Sequence, residues 1–158
     1  MSAKTHHAAA LLRVILPSIW FGMVIAISFI EAPLKFQAPG ITIPLGLGIG
    51  RLVFTALNIA EITLMIGTTV VMLWPRASRN LLNVLAVIWL VTLVKIFAVR
   101  PFLNARSDII VAGGDPGESF LHYLYIGLDA LGLVLLVAMM VLASKQLSPR
   151  IAPDTAQE

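Results

Sequence analysis

The 158-residue chain is 59% hydrophobic and only 12% charged, with a mean hydropathy of +0.95, whereas a soluble domain carries roughly 25% charged residues to wet its surface. Water is excluded as the solvent for most of it. Its formal charge of +3 comes with eleven Lys and Arg residues scattered between apolar runs, so no basic patch speaks for a nucleic-acid partner. The absence of cysteine excludes disulfides, thiolate zinc sites, iron–sulfur ligation and thiol catalysis.

Crossing a bilayer as a helix takes about 20 mostly apolar residues, and four such stretches are predicted. The first covers residues 9–30, with Arg13 near one interface, Pro17 in its first half and an expected stop at Glu31, Ala32 and Pro33. The amino terminus before it, Met1 to Ala10, is expected to stay uncleaved, because the apolar run it leads into is far longer than a signal-peptide core. The second span covers residues 52–74 and ends at Pro75, its Trp74 at interface depth. A short turn over residues 75–80 forces the third span, residues 81–99, to return antiparallel beside the second. Arg100 and Pro101 are expected to close it. The fourth span, residues 120–143, follows a polar turn around Gly113 to Gly117.

The expectation is therefore an all-α integral membrane protein: a four-helix bundle running up-down-up-down with both termini on one side. A single membrane domain would occupy residues 1–147 and a soluble tail residues 148–158. The lipid bilayer is the certain partner of such a chain. The side with the termini holds Lys4, Arg13, Arg76, Arg79, Lys145 and Arg150, and the other holds Lys35, Arg51, Arg100 and Arg106. That excess places the termini in the cytoplasm and the chain in a cell (inner or plasma) membrane. Between the first two spans, the segment from Ala38 to Gly50 is apolar yet rich in Gly and Pro, so a helix is not expected through it. It reads either as a re-entrant or interfacial loop lining a cavity, or as an ordinary loop on the bundle rim. Its glycines do not make a dinucleotide fingerprint, since no strand precedes them.

Ionisable groups in mid-span cost about 2.5–3.5 kcal/mol each, which makes Glu61, Lys95 and Asp129 the informative residues. Helical spacing puts Asn58, Glu61, Met65 and Thr68 on one stripe, His122, Tyr125, Asp129 and Gly132 on another, and Thr92 with Lys95 on a third. At 1.5 Å rise per residue, Glu61 and Asp129 lie about 14–15 Å in from the side of the longer loops and Lys95 about 7 Å. These groups predict a one-sided polar cavity between the second, third and fourth helices, with Glu31, Arg51 and Arg100 at its mouth. Two acids against one base leave a negative charge, to be neutralised by a proton on Asp129 or by a bound cation. The same groups serve equally to fix which helices are neighbours. Gly22 with Ala26, and Gly127 with Gly132, read as close helix contacts, and Met139 and Met140 as packing or lipid-facing groups.

Three functions fit this pattern. The first is a cavity that binds or passes a proton, cation or small solute. The second is an accessory or scaffold subunit of a larger membrane complex, or a homo-oligomer. The third is a membrane enzyme acting on a lipid or quinone, with His122, Tyr125 and Asp129 as acid–base groups. A non-enzyme is favoured. No cofactor and no metal site is implied, because His122 is the only histidine in a span.

The run from Phe21 to Pro33 followed by Phe36, together with Leu121, His122 and then Asp129 seven residues on, resembles the small four-span membrane family of unknown function whose eukaryotic relatives are linked to cisplatin resistance. Asp129 stands where the family pattern has an amide. The resemblance implies a four-helix membrane fold and carries no reaction.

Overall fold

The computed structural model describes residues 3–147. Four long helices make up nearly all of it: α1 (Thr5–Gln37), α2 (Ile43–Leu73), α3 (Arg79–Val111) and α4 (Leu121–Gln146), with no strand among the described residues. Each is long and apolar enough to cross a membrane. The tail expected over residues 148–158, with its Arg150, lies outside the described residues, as does Met1.

At the end that carries the longer connections three helices run well past the spans read from composition, α1 to Gln37, α2 from Ile43 and α3 to Val111. Pro33 and Pro101, expected to end α1 and α3, do not. A proline inside a helix lacks a donor and its ring collides with the carbonyl four residues back. Here each follows a π-helical segment, Ile25–Glu31 in α1 and Val94–Val99 in α3. The amide just before each proline bonds five residues back, Ala32 to the Ile27 carbonyl and Arg100 to that of Lys95. The widened turn makes room for the ring, so the chain stays helical.

The Gly- and Pro-rich segment is likewise the start of α2 rather than a loop, which removes the re-entrant reading of residues 38–50. Thr42 caps the helix, its hydroxyl accepting from the Leu45 amide at 3.3 Å, and Pro44 sits in the first turn where its missing donor costs nothing. Only a short connection remains, turning through Gly40 at φ 80°. Gly46 lies against the Phe36 ring with no room for a Cβ, and a Cβ on Gly50 would come within 2.9 Å of the Lys35 ammonium. Helix propensity loses to a close approach of α1 and α2 that only glycine allows.

α1 packs between α2 and α4; α4 also covers the first half of α3, and α2 meets α3 mainly over its second half. At one end Arg13, 6% exposed, donates to the carbonyls of Val71 (3.2 Å) and Pro75, supplying partners that the end of α2 lacks internally. Gln146 donates to the Ser78 hydroxyl at 2.7 Å, so the start of α1, the α2–α3 turn and the end of α4 share that end.

The buried seams repeat every three or four residues: Leu57, Glu61, Met65, Thr68 and Met72 on α2, and Leu81, Leu85, Ile88, Thr92, Lys95 and Val99 on α3. Tyr125, Asp129, Leu133, Leu136, Met139 and Ala143 continue the pattern on α4. Apart from Thr68, each seam is apolar toward Arg13, and it turns polar further on, at Glu61, at Thr92 and Lys95, and at Asp129. Met139 is a core residue. Gly22, Gly127 and Gly132 have nothing within 4 Å of where a Cβ would stand, so the close contacts expected there do not form.

Candidate functional site

Where the seams turn polar, three charged side chains meet. The Lys95 ammonium donates to both carboxylate oxygens of Glu61, at 2.7 and 2.8 Å, and to Oδ1 of Asp129 at 2.6 Å. Its three donors thus have three acceptors. All three residues are at most 3% exposed. The lysine stem extends inward, to two acids on facing helices, rather than toward the interface. Trp20 of α1 adds a fourth member, its indole N–H donating to Glu61 Oε1 at 3.1 Å. A void of about 10 Å³ between Trp20, Lys95, Asp129 and Gly132 is room for one water at most.

Above this cluster, toward the long connections, lies a cavity of about 470 Å³ lined by all four helices. Asp129 forms its floor and belongs to both spaces. Tyr125 and Phe54 separate the buried charges from the upper wall. The Tyr125 ring lies 5.6 Å from the Lys95 ammonium and meets Phe54 edge-on at 5.8 Å. Arg100 sits 5.1 Å over the Phe54 ring, with Lys35 5.5 Å from it. Such cation–aromatic contacts hold long cationic side chains against an apolar wall.

Of the residues expected in the site, Glu61, Lys95 and Asp129 are in direct contact. Asn58 is buried beside them and accepts from the Tyr125 hydroxyl at 3.5 Å, without lining either space. His122 lines the cavity from an exposed position at its rim. Arg51 and Arg100 line it too, with Arg51 paired to Asp108. Glu31 stays off the wall and pairs with Lys35 at 3.3 Å.

Sequence reasoning missed Trp20, Ser28, Lys35, Phe36 and Phe54. A tryptophan in mid-span, away from the interfacial belt, was the available signal for Trp20, since its N–H needs a partner. Lys35 and Phe36 follow the proline taken for the end of α1, which hid them. The cavity therefore has α1 as a wall, in addition to the three helices expected.

Four buried side-chain atoms among the described residues lack a hydrogen-bond partner: Ser28 Oγ, Arg51 Nε, Asp129 Oδ2 and Thr68 Oγ1. The first three belong to residues of the cavity wall. Buried polar atoms are partnered in all but a few cases, so three orphans on residues of one wall set this part of the bundle apart from the rest.

The outward faces carry Leu12, Ile19, Ile59, Ile66, Val70, Leu90, Phe97 and Val134, each at least 40% exposed. With four spanning helices beneath them, they define a multi-pass membrane protein of the four-helix-bundle class. Comparison of the chain with protein-family models, curated proteins and solved structures finds no match in any of the three. The functional reading rests on the residues themselves.

Proposed function

We propose that this protein binds a small molecule inside the membrane, in the cavity between the ends of its four helices, and does not conduct. The observation that carries it is the cavity itself: its volume of about 470 Å³ lies within the roughly 300–1,000 Å³ of small-molecule sites, and three of the four orphaned polar atoms belong to residues that line it. Against conduction stands the other half of the bundle. There Trp20, Met65, Met72, Leu81, Leu136 and Met139 are at most 2% exposed, so beyond the Glu61–Lys95–Asp129 cluster the seam of α2 is apolar except for Thr68. The cluster is then the floor of the site and the clamp that holds α2, α3 and α4 in register.

Acid–base catalysis by His122, Tyr125 and Asp129 gains less support. Asp129 bonds to Lys95, and the Tyr125 hydroxyl points to Asn58 rather than to His122.

Leu103→Trp places an indole into the cavity from a half-exposed wall position. In native mass spectrometry from mild detergent, the wild type is expected to carry a small-molecule adduct that the folded Leu103→Trp protein lacks. Equal adducts on both, or none on either, would remove the binding reading. Proteoliposomes are expected to pass protons and sodium no faster with the protein than without it.

A further inference from the structure

Resting on that reading, we infer that the ligand is an anionic amphiphile: a carboxylate or phosphate head on an apolar body. The wall of the cavity carries three cations, Lys35, Arg51 and Arg100. Lys35 and Arg51 each pair with a carboxylate, Glu31 and Asp108. Arg100 has none. It is 8% exposed, makes no ion pair among the described residues, and its guanidinium donates only to the Arg51 carbonyl at 3.3 Å. A buried guanidinium with five donors and one long bond can offer the rest to an anion, because its planar fork matches a carboxylate or phosphate. Arg51 and Ser28 line the same wall, and each carries a polar atom with no hydrogen-bond partner, Arg51 Nε and Ser28 Oγ.

The acid of the site does not cancel this field. Asp129 is at the floor with one oxygen already on Lys95, whereas Arg100 lies five residues beyond Lys95, about 7 Å nearer the mouth. With Lys35 and Arg51 already paired, the net charge along the upper wall is that of Arg100, which an anionic head meets before Asp129. The remaining wall decides the other half of the ligand. Phe29, Phe36, Leu47, Leu103 and Ile126 are apolar, and such a surface returns free energy only to a hydrocarbon or ring.

The test uses the full chain in nanodiscs of phosphatidylcholine, with empty discs as the partition control and three probes that share one tail: laurate, dodecanol and dodecylammonium. Laurate is expected to bind at least ten-fold tighter than the other two, a comparison that needs no variant. Arg100→Gln and Arg51→Gln are each expected to weaken laurate, roughly ten- to a hundred-fold for Arg100 as the loss of a charged hydrogen-bond partner. Arg51 lies closer to water, so its variant supports the result should Arg100→Gln fail to fold. If the three probes bind wild type alike and Leu103→Trp blocks all of them, the cavity stands and the anionic assignment falls. If none binds and Leu103→Trp changes nothing, both fall. Competition by phosphatidylglycerol in the disc identifies the anion as a lipid headgroup, and laurate binding unaffected by it identifies a free fatty acid; either outcome carries the inference.

Discussion

Replacing Lys95 by Met keeps the length of the side chain and removes the charge, which strands two carboxylates in a bundle where each is 2% exposed. In the wild type the ammonium makes three bonds of 2.6 to 2.8 Å to them. Two charges of one sign would then face each other across α2 and α4, with the Trp20 indole as the only remaining donor in the cluster. Breaking a buried ion pair from one side costs about 3–5 kcal/mol, most of it the penalty of the uncompensated partner. With two acids stranded, Lys95→Met is expected at the upper end of that range. The triple variant Lys95→Met, Glu61→Gln, Asp129→Asn has the same missing bonds and no stranded charge, so it is expected within about 2 kcal/mol of wild type, the scale of interhelical polar contacts in membranes. Equilibrium unfolding in mixed micelles, followed by tryptophan emission, reads both. A Lys95→Met protein within about 1 kcal/mol of wild type, or a triple variant no better than the single one, would refute the view that charge balance holds this cluster together.

Trp20→Phe keeps the buried ring and loses the donor to Glu61, and is expected to cost about 1–3 kcal/mol in the same assay. Gly46→Ala puts a methyl group into the Phe36 ring and should destabilise by about 1–3 kcal/mol; in a Phe36→Ala background the cost should vanish, and a persistent cost would show that something other than that contact is responsible. Gly22→Ala meets nothing within 4 Å and is expected to be neutral or to stabilise by up to about 1 kcal/mol through helix propensity, whereas clear destabilisation in a thermal-melt comparison would restore the close helix contact that the sequence suggested. Arg13→Ala leaves the Val71 and Pro75 carbonyls without that donor and should lower the melting midpoint while leaving laurate binding unchanged, since Arg13 lies at the other end of the bundle.

Composition and spacing alone determined that this chain crosses a membrane four times, because a backbone in hydrocarbon must satisfy its own hydrogen bonds and only long apolar helices do so here. Spacing also put Glu61, Lys95 and Asp129 on inward faces, since a charge in oil has few other places to go. Tertiary structure decided the rest. Pro33 and Pro101 are local stop signals, overruled where a π turn before each makes room for the ring. Gly46 and Gly50 are poor helix formers, held helical by Phe36 and Lys35 arriving from another segment. No local pattern carries that information, because each depends on which helix lies opposite. The same holds for the site: Trp20, Lys35 and Phe54 enter it through α1 and α2 closing on one another, and only the tertiary contacts show that Arg100 makes no ion pair among the described residues.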